Sequence, residues 1–322
     1  MILTVTPTPV LERSGTIGAP LTGGTVLRLE QVDTFPSGSG VTVSRLAYLA
    51  GHRTRALFPA PEISQYLRML ALLGLPHDYV PVAGPIQTRF LVTDSTGQST
   101  QFLDPAMPLD AAQLAQLRDL AVTEAEDATW VVLGGQLPDV APNGWYVEVI
   151  RALSLYHPET RVAVATSGGP LRALLRQLST ITPYLLTLTA GDIAELIPDA
   201  DASAIGTALR SGDTSAVEPA VRPLLEAGVS EVLLSCPPDT AVVFSGDGGV
   251  VARSTSPSGS GPERFRDVLL AGYLLDDTPG GREERLSAAL GFVIADGSLP
   301  DGRLPTPDLV DPTTVNCTVL RN

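Results

Sequence analysis

Hydrophobic and polar positions along the chain follow two alternating patterns. Short apolar runs bounded by glycine, proline or threonine predict buried strands, and apolar positions three and four residues apart predict amphipathic helices. The predicted strands include ILTVT, TRALFPA, ATWVVLGG, TRVAVAT, YLLTLT and SEVLLSC. The predicted helices include SGVTVSRLAYLAG, EISQYLRMLALLGL, NGWYVEVIRALSLYH, PLRALLRQLS, AGDIAELI and VEPAVRPLLEAG. This alternation indicates βαβ units, and therefore an α/β fold with a mainly parallel central sheet flanked by helices.

Two stretches interrupt the alternation, at about residues 14–35 and 86–104. Both have the pattern of short strands with glycine turns, and TRFLVTDSTGQSTQFL predicts a β-hairpin around STGQ. The sequence contains no linker, internal repeat or low-complexity segment. We therefore expect a single α/β domain over residues 1–322, with a small β-lid formed by the two stretches. The exposed strand edges of such a lid favour pairing with a second copy, which predicts a homodimer.

Composition and charge exclude several classes of function. The 322-residue chain has a net charge of −14, and arginine supplies all of its Lys+Arg content because lysine is absent. So acidic a protein is not expected to bind nucleic acid. No apolar run is long enough to cross a bilayer, and the N-terminal MILTVTPTP lacks the basic start of a signal peptide, so we expect a cytoplasmic protein that does not bind membranes.

Cysteine and histidine give no sign of a metal site. The two cysteines, Cys236 and Cys317, do not form a CxxC motif. The three histidines, His52, His77 and His157, are far apart in the sequence. Because metal ligands are usually closely spaced in the sequence, we expect that these cysteines and histidines hold no metal ion.

Eight stretches carry motifs that cover nearly the whole chain. They are MILTVTPTPVLER, PSGSGVTVSRLAYLAG, TRFLVTDSTGQSTQFLDP, WVVLGGQLPDVAPNGWY, VAVATSGGPLRALL, TPYLLTLTAGDIAEL, EVLLSCPPDTAVVFSGDG and PERFRDVLLAGYL. In this order they resemble the PfkB, ribokinase-like carbohydrate kinases, in the branch of 1-phosphofructokinase and tagatose-6-phosphate kinase. The resemblance implies a ribokinase-like three-layer sandwich. It also implies phosphorylation of a sugar or sugar-phosphate hydroxyl by ATP with Mg²⁺, and a homodimer.

The resemblance also implies a set of substrate-binding residues. These are Glu12, Arg28, Gly38, Gly40, Thr42, Arg89 and Gln136. Glu12 replaces an aspartate of the family, Thr42 an asparagine and Gln136 a serine, whereas the two glycines are retained. Arg28 and Arg89 are the candidates for binding phosphate, since a guanidinium can hold it with two hydrogen bonds. The alternative for each arginine is an ordinary ion pair on a surface strand.

Substitutions are concentrated at the positions that carry the chemistry in the family. Ser39 stands in place of a lysine and Ala165 in place of an aspartate, and SCPPDT replaces the family's SLGxxG. TLTAGD occupies the motif that supports hydrated magnesium in the family. The candidate nucleotide- or phosphate-binding residues are Asp192, Ser235, Arg264 and Arg266. Asp192 has an alternative interpretation as an ordinary acidic residue at the start of a helix.

The family's GAGD motif, which supplies an anion-binding loop and the catalytic base, can be aligned in two registers. If Gly259-Ser260-Gly261 corresponds to the glycine loop, Pro262 follows it and the base is lost. If the helix DVLLAGY sets the register, Asp267 is the base and Arg264-Phe265-Arg266 replace the glycines. The second register is preferred because a packed helix defines position better than a loop. Side chains at these positions disfavour the close backbone approach that glycine permits.

Three functions remain open from the sequence. The first is an active PfkB kinase that uses ATP and Mg²⁺ on a sugar phosphate, with Asp267 as base, Arg89 and Arg28 on the substrate, and an unusual anion site. The second is a non-catalytic pseudokinase that binds a sugar phosphate or a protein partner and acts as a regulator. The third is a kinase for another hydroxyl, such as that of a nucleoside, with a pocket reshaped by Thr42 and Gln136. Open space beside Asp267 would favour catalysis, and filling of that space by Phe265 or the arginines would favour the second function.

Overall fold

The computed structural model describes residues 1–276 and 281–320, and its dominant element is a ten-stranded sheet. Its strands, in spatial order, are β14 (Val315–Leu320), β13 (Gly248–Ser254), β12 (Thr240–Ser245), β11 (Glu231–Cys236), β10 (Leu185–Thr189), β9 (Arg161–Ala165), β8 (Trp130–Gly134), β1 (Ile2–Val5), β4 (Thr54–Ala60) and β5 (His77–Pro81). All neighbours from β11 to β5 are parallel, and β12, β13 and β14 extend the sheet in antiparallel fashion. The predicted mainly parallel sheet is confirmed.

Helices cover both faces of this sheet. They are α1 (Ser39–Leu49), α2 (Gln65–Leu72), α3 (Ala111–Glu124), α4 (Trp145–Tyr156), α5 (Gly168–Leu175), α6 (Ala190–Leu196), α7 (Ala202–Ser211), α8 (Glu218–Glu226), α9 (Pro262–Leu275) and α10 (Arg282–Gly297). Alternate residues of each strand point to opposite faces. In β8, Val131 and Leu133 therefore join one apolar cluster, while Trp130 and Val132 join the other, which contains α9 and α10. Two cores around one sheet make the predicted three-layer α/β sandwich.

A second, smaller sheet contains four strands. Its spatial order is β3 (Gln31–Ser37), β2 (Val10–Thr16), β6 (Gln87–Thr93) and β7 (Ser99–Leu103). The predicted hairpin is confirmed: β6 and β7 are antiparallel, and Asp94 Oδ1 accepts hydrogen bonds from the backbone amides of Thr96 and Gln98 in the turn. The two strands near the N-terminus match the predicted range of about 14–35 only in part: β2 begins at Val10, β3 ends at Ser37, and residues 17–30 between them form no strand. That this sheet acts as a lid, and that the chain is one domain, stay predictions.

Within the two described ranges, no helix is both long and apolar enough to cross a membrane.

Candidate functional site

A cavity of about 400 Å³ lies between the small sheet and the large α/β layer. The small sheet contributes Glu12 and Arg89, and Thr42 of α1 lies in the wall. The remaining wall comes from the start of α9, with Asp267, and from the end of α10, with Asp296. The structure thus brings together several residues that are far apart in the sequence, among them three of the predicted substrate-binding residues.

The start of α1 is shaped by two glycines. Gly38 has φ of 122°, in the region that favours glycine, and it precedes the first helical residue. At Gly40, a Cβ atom would lie 2.6 Å from Thr6 Oγ1, so only glycine allows α1 to begin this close to the end of β1. The two predicted residues therefore hold the backbone of the site, and the helix they start carries Ser39 and Thr42.

Asp267 is buried at the inner wall of the cavity and its carboxylate is already bound. Ser39 Oγ donates a hydrogen bond of 2.6 Å to Asp267 Oδ1. Arg266 Nε and Nη2 donate to the same oxygen over 3.3 Å. Burial raises the pKa of the Asp267 carboxyl, and the Arg266 charge and the Ser39 hydrogen bond oppose that rise. The candidate base thus carries a fixed guanidinium partner.

The start of α9 is a full helical turn rather than an open loop. Because α9 begins at Pro262, Arg264, Phe265 and Arg266 are helical and the segment before them is Gly259-Ser260-Gly261. Phe265 is fully buried in the core between α9 and the large sheet, so of the two alternatives, Phe265 or an arginine beside Asp267, the structure has the arginine. Successive residues of a helix point in different directions. Arg266, the residue after Phe265, therefore lies on another face of α9, where it contacts the Asp267 carboxylate.

The arginines that line the cavity are paired with carboxylates. Arg89 Nη2 donates to Glu12 over 3.3 Å, and its Nη1 donates to Glu263. Burial would lower the pKa of Arg89, but these two carboxylates outweigh it and raise the pKa. Arg264 donates from Nε and Nη2 to the two oxygens of Asp296, each over 2.7 Å. The ion-pair alternative considered for Arg89 describes its contacts.

Asp192 and Ser235 are engaged inside the large layer and do not line the cavity. Asp192 Oδ2 accepts hydrogen bonds from the backbone amide and the hydroxyl of Thr189, at 2.9 and 2.7 Å. Thr189 in turn accepts from the Asp192 amide, so the pair is a capping box at the start of α6. Ser235 is buried, and its hydroxyl donates to the Leu188 carbonyl. The interpretation of Asp192 as an early-helix acid accounts for its contacts.

Two predicted substrate residues lie away from the cavity. Arg28 is exposed in the segment that joins β2 to β3. Gln136 is also exposed, and only its backbone carbonyl is engaged, by the Thr8 hydroxyl at 2.8 Å. The resemblance placed both residues at the substrate, but neither is among those that line the cavity. Sequence motifs define positions along the chain, and they do not determine where an exposed loop side chain lies.

Sequence reasoning missed the acidic side of the site. Glu263, Asp296 and Asp301 line the cavity, and Ser260 donates to Asp296 over 2.6 Å. Asp296 offered one signal, because it is an acidic residue near the end of an otherwise apolar helical face. Elsewhere, His77 Nδ1 donates a hydrogen bond to the Leu75 carbonyl, and His157 Nε2 donates one to the Val122 carbonyl. Among the described residues, no group of three His, Cys, Asp or Glu is arranged to hold a metal ion.

Comparisons with solved structures identify the fold. A possible 1-phosphofructokinase from Thermotoga maritima matches with a TM-score of 0.82 and 16% identity, over all of both chains. Phosphofructokinase-2 from Escherichia coli, in complex with potassium, matches with a TM-score of 0.78 and 20% identity, over 96% of each chain. The fold is that of the PfkB, ribokinase-like sugar kinases.

Relatives found by sequence agree with this class. An ATP-dependent 6-phosphofructokinase isozyme 2 of Mycobacterium tuberculosis is 31% identical over 140 residues, which are 42% of this chain and 41% of that protein's length. A 1-phosphofructokinase of Xanthomonas campestris is 24% identical over 312 residues, 95% of this chain and 94% of that protein. No family model matches the chain. Its relatives are phosphofructokinases, and the resemblance inferred from the motifs is confirmed.

Proposed function

We propose that this chain binds a sugar compound in the cavity beside the small sheet, and that its transfer of phosphoryl groups from ATP is lost or strongly reduced. The contact between Arg266 and Asp267 carries the proposal. A catalytic base must accept a proton from the attacking hydroxyl. If Asp267 accepted that proton, the buried Arg266 guanidinium would lose its counter-charge, which is costly in a poorly solvated site.

The start of α9 supports the same conclusion. Helix N-termini bind phosphate through free backbone amides and the helix dipole. Here the first helical residue is Pro262, which has no amide hydrogen, and the next is Glu263, whose negative charge opposes an anion. Reduced anion binding is therefore expected where the family holds the transferring phosphoryl group. Loss of one such donor typically lowers a rate by about 10²–10³.

The residues at the family's ATP and magnesium positions do not fit those ligands. Asp192 Oδ2 is held by Thr189 in the capping box, and Ser39 stands where the resemblance places a lysine. Arg266 lies close enough to Asp192 for that carboxylate to contribute to the raised pKa of Arg266, although burial of Arg266 opposes the rise.

A second candidate is an active ATP-dependent sugar kinase with Asp267 as base. Its specific support is that Asp267 lines the cavity, opposite the small sheet. The names of the relatives, which include an ATP-dependent 6-phosphofructokinase, favour it as well. The third function, a pocket reshaped by Thr42 and Gln136 for a nucleoside, loses support because Gln136 does not line the cavity.

Calorimetry and a turnover assay separate the two candidates. The full chain is titrated with ATP and Mg²⁺, with and without hexoses and hexose phosphates, and formation of phosphorylated product is followed. We expect a sugar compound to bind without measurable turnover. Turnover by the natural chain that disappears in Asp267→Asn would instead establish the kinase and contradict the proposal.

We also propose that two copies pair through the small sheet. β7 is an edge strand of that sheet, and Phe102 and Leu103 on it are 53% and 61% exposed. Exposed apolar strand edges favour pairing. Light scattering should give twice the chain mass, and Phe102→Lys should shift it to the monomer. A cytoplasmic location stays a prediction from the sequence.

A further inference from the structure

The charges around the cavity indicate which kind of sugar it accepts, if the proposed sugar-binding function holds. We propose that the ligand is an uncharged sugar or polyol rather than a sugar phosphate, and that Glu263 and Asp296 set this preference by neutralising the two arginines of the cavity wall. The contacts of Arg89 and Arg264 carry the inference.

Arg89 is shared by two carboxylates. Glu12 is its direct neighbour across the parallel pair β2 and β6, and Glu263 approaches from α9. The side chains of Arg89 and Glu12 are 20% and 18% exposed, so their charges are only partly screened by water. A phosphate, which carries about −1.5 to −2 charges at neutral pH, would have to compete with two carboxylates for one guanidinium. Arg89 therefore offers no net positive charge to an incoming anion.

The donors with which Arg264 could bind a phosphate are already bonded to a carboxylate. Its Nε and Nη2 form two parallel hydrogen bonds to Asp296, whose side chain is fully buried. A guanidinium binds phosphate through the same pair of donors. Asp296 is held further by the Ser260 hydroxyl, and Arg264 also donates to the Arg303 carbonyl. An incoming phosphate could use this pair of donors only by expelling the buried carboxylate.

No other side chain of the cavity wall supplies a positive charge. Lysine is absent from the sequence. Arg45 is positively charged at neutral pH, but it is not among the residues that line the cavity, and its guanidinium donates to the carbonyls of Pro36 and Gly302. Among the described lining residues, the acids outnumber the arginines: they are Glu12, Glu263, Asp267, Asp296 and Asp301 against Arg89 and Arg264. The acids still outnumber the arginines when Arg266, the partner of Asp267, is counted as well. The cavity is therefore acidic overall.

The same residues suit a ligand with many hydroxyl groups. A sugar hydroxyl donates well to a carboxylate, because hydrogen bonds to an ionised acceptor are the stronger ones. Hydroxyl and amide side chains of Ser37, Thr42 and Gln101 also line the cavity and can both donate and accept. Its volume of about 400 Å³ lies within the range of small-molecule sites. An uncharged monosaccharide or hexitol matches this wall, and an added phosphate does not.

The test compares each sugar with its own phosphate. The full chain is titrated calorimetrically with D-fructose, D-tagatose and a hexitol, and with the corresponding phosphates. We expect the uncharged compound to bind at least about tenfold more tightly than its phosphate, since like charges in a partly buried site repel. In Glu263→Gln, which preserves shape but removes one partner of Arg89, the ratio should shift toward the phosphate by about tenfold.

A matched control uses a glutamate of the same kind far from the cavity. Glu218, in the first turn of α8, pairs with Arg222 on the surface, and Glu218→Gln frees that arginine without touching the cavity. The ratio of affinities should be unchanged in this variant. Glu263 is 64% exposed, so Glu263→Gln is expected to fold, and Asp296→Asn provides a second variant that frees Arg264.

Each result decides between the two proposals. If the natural chain binds a sugar phosphate more tightly than the parent sugar, the inference is overturned while the proposed sugar-binding function stands. If Glu263→Gln changes the ratio of the sugar and sugar-phosphate affinities no more than Glu218→Gln does, Glu263 does not set the preference and that part of the inference is wrong. If no sugar or sugar phosphate binds at millimolar concentration, the proposed function itself fails together with the inference.

Discussion

Two helices begin at the cavity, and each start contains the same three residues, glycine, serine and glycine. At α1 these are Gly38-Ser39-Gly40, and before α9 they are Gly259-Ser260-Gly261. At α1 the glycines are sterically required, by the φ of 122° at Gly38 and by the contact a Cβ at Gly40 would make with Thr6. Gly261 has an ordinary φ of −63°, and a Cβ there would meet nothing within 4 Å. Gly38 and Gly40 thus report backbone geometry and Gly261 does not, whereas a Cβ at Gly259 would lie 3.1 Å from the Gly297 carbonyl oxygen.

The two starts also present different chemistry to the cavity. At α1 the backbone lies close to β1, and the Ser39 hydroxyl donates a hydrogen bond to Asp267. At α9 charged side chains face the cavity instead: Glu263 forms an ion pair with Arg89, and Arg264 forms one with Asp296. A glycine-rich stretch before a helix is therefore weak evidence for a phosphate cradle. The residues inside the first helical turn decide whether an anion can approach.

The largest expected effect comes from breaking the buried pair inside α9. Arg266→Met should lower the free energy of unfolding by about 3–5 kcal/mol at neutral pH, because it leaves Asp267 buried without its guanidinium. Chemical denaturation measures the loss. The double variant Arg266→Met/Asp267→Leu, which removes both charges, should recover most of it. A loss below about 1 kcal/mol would show that water reaches Asp267 freely.

The pH dependence of the same variant follows from the raised pKa of Asp267. A folded-state pKa above the unfolded value means that the folded protein holds the proton more tightly. The contribution of Asp267 to the free energy of unfolding is then greatest below the ordinary aspartate pKa, and it is lost as the pH rises through the raised value. Without Arg266 the pKa of Asp267 rises further. The loss of stability in Arg266→Met should therefore become smaller as the pH is lowered. A deficit that is constant with pH would contradict the assignment to Asp267.

A smaller loss is expected at the start of α1. Gly40→Ala would place Cβ 2.6 Å from Thr6 Oγ1 and 3.1 Å from Thr4 Cβ, and both threonines are fully buried. Such overpacking should lower the free energy of unfolding by about 1–3 kcal/mol. Gly191, the second residue of α6, is a matched control because its nearest neighbour would be 3.5 Å away. Gly191→Ala should be neutral or stabilising through helix propensity, and equal effects at both sites would remove the steric argument.

Local patterns in the sequence were sufficient for much of the fold. The strand TRALFPA coincides with β4, and the hairpin around STGQ joins β6 to β7. α3 was missed although Asp110 and Gln113 form a capping box, because only Leu114, Leu117 and Ala121 of this helix are buried and the apolar pattern is weak. β2 and β3 were misplaced because their pairing depends on partners in space rather than on a local turn.

The candidate site was predictable only in part. Motif order indicated Asp267, Glu12 and Arg89, and the structure brings all three to the cavity. Their partners were not predictable, since Arg89 and Glu263 are 174 residues apart and meet only after the small sheet packs on α9. Arg264 was considered as a phosphate ligand, but a carboxylate 32 residues further along the chain holds it. Ion pairing between distant residues depends on packing, which residue types alone do not reveal.

The smallest expected effect, opposite in sign, tests whether the glycine before α9 has any structural requirement. Gly261 is the N-cap of α9, its backbone is extended, and no side chain caps the helix. Serine there can accept a hydrogen bond from the first-turn amides and reduces the freedom of the unfolded chain, which together should raise the free energy of unfolding by about 0.5–1 kcal/mol. Gly23→Ser, in the exposed segment between β2 and β3 where a Cβ would also meet nothing within 4 Å, lacks the helix and measures the entropic part alone. A destabilised Gly261→Ser would mean that this glycine is needed after all, and the contrast between the two helix starts would then disappear.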